Sequence, residues 1–134
     1  MSKVVELTKD NLNEIIDNNK IVIVDFWAEW CGPCKSFAPT FEAAAEDHDD
    51  IVFAKVNTEE QQELGGMFQI RSIPTLMVFK EQIVVFSQAG ALPASALADL
   101  VGNAKDLDMK MVREQIAEKE KEKEKEKEQD KTVA

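Results

Sequence analysis

Two cysteines stand in this sequence, Cys31 and Cys34, with only Gly32 and Pro33 between them. Thiols at that spacing can exchange disulfides if one is a good nucleophile near neutral pH and the other is at hand to resolve the mixed disulfide. A secreted disulfide framework would use more cysteines at wider spacing, and a lone cysteine reads as a small buried hydrophobe. Cys-Gly-Pro-Cys at the end of an apolar run fits neither description. A structural zinc site wants four ligands, and only His48 is available besides the cysteines, so no metal is expected. An iron–sulfur cluster shared between two chains is allowed by ligand count alone.

The pair needs elements to position it. Ile21 to Trp27 is a continuous apolar run with one acid, the pattern of a strand buried on both faces. Ala28-Glu29-Trp30 is the loop that leaves it, and a helix follows from about Cys34, with Phe37, Phe41, Ala44 and Ala45 at helical spacing. That order sets Cys31 at the helix's first turn, where unpaired N–H groups and the helix dipole favour a thiolate. Cys34 is three residues on, on the same side and deeper. Cys31 is therefore expected to attack a substrate disulfide, and Cys34 to release the product. Pro33 stiffens the pair at a position where a missing N–H costs nothing. Asp25, the acid in the apolar strand, should have a raised pKa through desolvation. On the residues alone it is either a proton acceptor for Cys34 or a buried carboxylate satisfied by Lys55.

Around this centre the expected elements are a strand at Val4–Leu7, a helix over about 9–18 capped by Thr8, a strand at Ile51–Val56 and a short helix at Glu59–Leu64 ended by Gly65-Gly66. Pro39 lies inside the long helix and should kink it. Thr75–Phe79 and Ile83–Ser87 read as a hairpin joined at Lys80-Glu81-Gln82, an odd turn, because no Gly or Asn supplies positive φ. Pro93 suits the first turn of a helix carrying Leu97, Leu100 and Val101. The order β-α-β-α-β-α-β-β-α makes an α/β sandwich with a mostly parallel centre and an antiparallel pair at one side.

At 134 residues the chain has room for one domain with a substantial core. The net charge of −10 is uneven: residues 1–104 carry −9 and residues 105–134 carry −1, from nine basic and ten acidic side chains. So acidic a surface disfavours nucleic acid and anionic lipid as partners. Beyond Gly102-Asn103 the character changes. Met109, Val112 and Ile116 could share one face of a short helix from Asp108; Glu118 to Glu128 then alternates Glu and Lys, and is expected to be solvated and partly disordered. The first ten residues lack the pattern of a secretory or transit leader, and no apolar run is long enough to span a membrane, so a cytoplasmic protein is expected.

The segment from Val24 to Lys35, Val-Asp-Phe-Trp-Ala-Glu-Trp-Cys-Gly-Pro-Cys-Lys, resembles the active-site segment of the thioredoxin family. Further matches follow in order: Ala38-Pro39, Ala54 to Asn57, Ile70 to Thr75 and Ala89-Gly90-Ala91, so the resemblance covers about residues 3–104. The stretch from Ser87 to Pro93 looks bacterial in style. The resemblance implies a thioredoxin fold, a central mixed sheet of five strands flanked by about four helices, with residues 1–104 as the domain and 105–134 as an extension. It implies a protein-disulfide reductase serving redox homeostasis and reductive enzymes, with Asp25 as the proton-transfer residue and Gly32, Pro33, Lys55 and Pro74 supporting the site. The bond Ile73–Pro74 would be cis, as in the family; otherwise that proline would mark only a strand start. Trp30, Ile73, Gly90 and Ala91 would form the rim that meets an extended substrate. A flavin-containing thioredoxin reductase using NADPH would restore the dithiol, with no cofactor carried by this chain, which would act as a monomer on disulfide-containing proteins. The resemblance implies a reducing couple. The rivals are an oxidase or isomerase on the same fold, against which Pro33 speaks, and a binding subunit whose thiols are incidental. Trp27 reads as core packing that touches the site, Phe68 stands where relatives often have Tyr, and Lys35 and His48 read as having no chemical role.

Overall fold

The computed structural model describes residues 3–132, with side chains described as far as Lys125. The run Ile21–Trp27 forms a central strand in which every residue except Trp27 is buried. Numbered along the chain, the strands are β1 (Val5–Glu6), β2 (Ile21–Trp27), β3 (Val52–Asn57), β4 (Thr75–Lys80) and β5 (Ile83–Ala89). They make one sheet in the order β1-β3-β2-β4-β5, with β3 parallel to β1 and β2, and with β4 antiparallel to both β2 and β5. The helices are α1 (Leu12–Asn18), α2 (Gly32–Asp47), α3 (Gln62–Met67), α4 (Ala94–Asp106) and α5 (Met109–Thr132). This is the expected five-stranded mixed sheet, with five helices where about four were expected.

Two-residue alternation along β2 divides the core. Ile21 and Ile23 pack with Phe37, Phe41, Leu97 and Val101 on the face covered by α2 and α4. Val22, Val24 and Phe26 pack with Leu12, Leu64 and Phe79 on the face of α1 and α3. Asp25 follows Ile23 in this alternation, so it lies on the α2 side, beneath the helix that carries the cysteines. The packing of the strand thus decides which way the acid points.

Several boundaries differ from the sequence expectation. Thr8 does not cap α1. Its N–H donates to Asn11 Oδ1 at 2.7 Å, residues 9–11 form a turn, and Asn11 is the N-cap. The helix α3 begins at Gln62 because Asn57 Oδ1 first accepts the N–H groups of Glu59 and Glu60, holding that stretch as a turn. It then runs through Gly65 and Gly66, and it is Gln69, with φ 55°, that follows its end in the left-handed region. Gly102 and Asn103 lie within α4, anchored on either side by buried Val101 and Ala104.

The hairpin turn has the positive φ it requires without the residues that favour it: Glu81 has φ 50° and Gln82 φ 70°. Contacts from outside hold it there. The Glu81 N–H donates to the Lys20 carbonyl at 2.8 Å, and Arg113 on α5 pairs with the Glu81 carboxylate at 2.9 Å. An L-residue in that region is disfavoured by about 1–2 kcal/mol, so Gln82→Gly should stabilise the fold by about 1 kcal/mol, read as a higher urea midpoint at unchanged slope. A lowered midpoint would show that the Gln82 side chain contributes more than its backbone geometry costs.

The C-terminal extension is fastened by a buried lysine. Lys80, 2% exposed at the end of β4, donates from Nζ to the carbonyls of Ala104, Lys105 and Leu107 at 2.6, 3.0 and 2.9 Å. It thereby satisfies the acceptors that the end of α4 leaves open. Asp108 Oδ1 then accepts the N–H groups of Lys110 and Met111 and starts α5, whose Met109 is buried. The helix α5 spans Met109–Thr132. Glu and Lys are good helix formers; in their alternation opposite charges meet at i,i+3 and like charges at i,i+4, so the helix rests on propensity more than on charge pairs. Its described side chains from Ala117 to Lys125 are exposed, as expected, and Val133 and Ala134 lie outside the described residues.

Candidate active site

The helix α2 starts two residues earlier than its hydrophobic spacing suggests. Cys31 is its N-cap residue, with extended φ and ψ, and Gly32 and Pro33 occupy the first turn. Cys31 and Cys34 are joined as a disulfide with Cα atoms 5.2 Å apart, so the chain is described in its oxidised form. The Cys34 N–H donates to Cys31 Sγ at 3.2 Å, the bond that a thiolate at an N-cap would strengthen. Both sulfur residues are buried, Cys31 at 4% and Cys34 at 2% exposure. Gly32 and Pro33 are exposed beside them.

Beneath Cys34 lies a small cavity of about 90 Å³ lined by Asp25, Trp27, Cys34, Lys35, Ala38 and Lys55, among others. Asp25 is 5% exposed, and its Oδ1 has no hydrogen-bond partner among the described residues. Burial pushes its carboxyl pKa up to about 7, and the Lys55 charge opposes this only in part. Lys55 is the register partner of Asp25 on β3, and its ammonium lies 5.2 Å from the centre of the Trp27 ring. The reading in which Lys55 simply satisfies Asp25 does not match this geometry, because no hydrogen bond joins them. A carboxyl that titrates near neutrality, in the same cavity as Cys34, can accept a proton from that thiol.

The rim is assembled from three loops. Trp30 is 68% exposed, with its indole N–H donating to Glu59 at 2.5 Å. The Ile73–Pro74 bond is cis, and the Ile73 carbonyl oxygen lies 3.8 Å from Cys31 Sγ. Gly90, with φ +103°, donates its N–H to the Pro74 carbonyl at 2.8 Å, which sets the exposed Gly90-Ala91 segment against that loop. The candidate site residues thus lie on β2 (Asp25), on the loop and first turn of α2 that follow it (Trp30 to Cys34), on β3 (Lys55) and on the Ile73-Pro74 and Gly90-Ala91 loops. The expectation missed Glu59, which orients Trp30, and Gln69 and Arg71 in the adjoining loop. Nothing in the sequence distinguishes Glu59 from the chain's other acids, since its partner is 29 positions away.

Residues 3–103 match the family model described as Thioredoxin. The chain belongs to the thioredoxin family. It is 55% identical over 119 residues to a protein named "Putative thioredoxin 2" from Streptomyces coelicolor, covering 89% of each chain. Thioredoxin of Chlorobaculum thiosulfatiphilum is 43% identical, with 72% of this chain and 91% of that one covered. Among solved structures, that of Plasmodium falciparum thioredoxin superposes with a TM-score of 0.70 at 40% identity, over 75% of this chain and 98% of the other. With the family and the Cys31–Cys34 pair both in place, this chain is a thiol–disulfide oxidoreductase that reduces protein disulfides. No helix of the described residues is long and apolar enough to cross a membrane.

Proposed function

We propose that Cys31 is the nucleophile of this reductase, that Cys34 resolves the mixed disulfide, and that Asp25 takes the Cys34 proton. The observation that carries this reading is the asymmetry of the pair. Cys31 caps α2 and sits against Ile73 and the rim, whereas Cys34 lies over the cavity that holds Asp25. The Cys31 thiolate attacks one sulfur of the target's disulfide, forming the mixed disulfide and expelling the first target thiolate. Asp25 removes the Cys34 proton; the Cys34 thiolate attacks Cys31 Sγ, closing the Cys31–Cys34 disulfide and expelling the second target thiolate. Two electrons pass to the target in all, and the protein is left in the oxidised form described above.

Lys55 holds the Asp25 titration close to neutrality by partly offsetting the cost of its burial. Gly32 and Pro33 leave the approach to Cys31 open, and Pro74 and Gly90 shape the loop beside it. Trp30, Ile73, Gly90 and Ala91 form the surface on which an extended target segment lies. A flavin-containing thioredoxin reductase using NADPH returns the pair to the dithiol. The chain works as a monomer in the cytoplasm, where such a reductant meets its targets, and it carries no cofactor of its own.

Residues 1–104 supply the reductase, with 105–134 as an extension. β2 runs toward the cysteines at its C-terminal end, and α5 meets the β4–β5 turn at the opposite end of the sheet. Removing residues 118–134 should leave the rate of protein-disulfide reduction within about twofold and stability within about 0.5 kcal/mol. A large loss of rate in that truncation, measured with purified protein and a reductant-coupled assay, would assign the extension a part in catalysis.

A further inference from the structure

Beside Cys31 a groove of about 670 Å³ runs from Trp30 and Ile73 past Ser72, Arg71 and Gln69 to Gly65 and Gly66 of α3. Two features of its charge stand out. The domain around it carries −9, yet among the described residues the only ionised side chain lining the groove is the guanidinium of Arg71. Arg71 is exposed and makes no ion pair among the described residues, whereas Arg113 is paired with Glu81. Of the acids neighbouring Arg71 in sequence, Glu63 pairs with Lys9 at 2.7 Å, Glu81 with Arg113, and Glu59 accepts from the Trp30 indole. The guanidinium is thus left without an ion-pair partner on an acidic protein, in a groove bounded by Ile73, whose carbonyl oxygen lies 3.8 Å from Cys31 Sγ. Its planar fork suits a carboxylate better than any neutral group.

We infer that Arg71 is a specificity-determining residue of this reductase, selecting targets with an aspartate or glutamate close to the disulfide cysteine. The inference rests on the reading of Ile73 and Trp30 as the surface that receives an extended target segment. Arg71 lies two residues before Ile73, so their Cα atoms are at most about 7 Å apart. The carboxylate should therefore stand two to four residues from the target cysteine. A target segment paired with the backbone at Ile73 runs in one direction, and Arg71 lies on one side of that residue, so the preference belongs to one side of the cysteine. Long-range repulsion from the −9 domain acts the other way, disfavouring acidic targets wherever Arg71 cannot reach.

The test uses the full chain and pairs of synthetic peptide disulfides that differ only by Glu or Gln at one of the four positions on either side of the cysteine. At low salt the Glu peptide should have the higher kcat/KM by about fivefold at one or two positions on one side, and no advantage on the other. Arg71→Gln should bring that ratio to one or below, Arg71→Glu should invert it, Arg71→Lys should retain part of it, and 0.5 M salt should shrink it. A Glu-to-Gln ratio unchanged in Arg71→Gln, or a parent ratio of one at every position, would overturn the assignment. If no peptide of either kind is reduced, the reductase reading fails first and the assignment falls with it.

Discussion

Cys34→Ser is expected to stop the reaction half-way. Cys31 keeps its place at the N-cap of α2 and still attacks, because the dipole and the free N–H groups that favour its thiolate do not depend on Cys34. The mixed disulfide then has no thiol to resolve it and accumulates as a covalent adduct with the target. Turnover should fall by about 10³-fold or more, and a non-reducing gel or intact mass should show the adduct in near-stoichiometric yield. Cys31→Ser should lose as much turnover and give no adduct, since it is Cys31 that sits against Ile73 at the rim, whereas Cys34 faces the cavity that holds Asp25. The reversed pattern, adducts through Cys34 and none through Cys31, would exchange the roles assigned here. Adducts through neither would remove the chain from disulfide chemistry and leave the binding-subunit reading.

Asp25→Asn should both stabilise the oxidised protein and slow it. Burial raises the Asp25 pKa from 3.8 to about 7. Below pH 4 the carboxyl is protonated whether the chain is folded or not. Between about pH 4 and 7 the unfolded chain gives up this proton while the folded one keeps it, so stability falls as pH rises and levels off above the folded pKa. A rise of that size corresponds to on the order of 4 kcal/mol, an upper figure for one buried carboxylate. Asn is nearly isosteric and cannot ionise, so the variant should match the parent near pH 4 and exceed it by a few kcal/mol at pH 8. Urea unfolding of the two oxidised proteins at both pH values reads this directly. The same variant loses the acceptor for the Cys34 proton, so turnover at pH 7 should fall by about 10²-fold and recover as pH approaches the thiol's own pKa. Equal pH slopes in the two proteins would mean that Asp25 is already ionised at neutrality through its Lys55 neighbour.

The centre of the site was legible in the sequence because covalent spacing and burial decide it. Cys31 and Cys34 are fixed by a two-residue gap, and a single acid in the run Ile21 to Trp27 has to be buried wherever that strand lies. The face that Asp25 occupies followed from two-residue alternation once β2 was placed. Elements whose limits depend on side chains reaching across the fold were harder to read. The late start of α3 rests on Asn57 taking the N–H groups of Glu59 and Glu60. The Glu81-Gln82 turn rests on Lys20 and Arg113, neither of them near it in the chain. Propensity pointed to glycine at such positions, and tertiary contacts supplied the conformation with other residues. The extent of α5 could not be read from periodicity, because beyond Ile116 the segment has nothing to bury and only the helix propensity of Glu and Lys speaks for a helix.

Whether this chain donates electrons or withdraws them is decided by equilibrium titration of the Cys31–Cys34 pair against glutathione redox buffers. Trp30 flanks the disulfide and Trp27 lines the cavity beneath it, so their fluorescence reports the bond's state. The disulfide should survive until the buffer is strongly reducing, as a donor of electrons to other proteins requires. A disulfide that is reduced in mildly reducing buffer would leave the fold intact and contradict the function, making this chain an oxidant or isomerase.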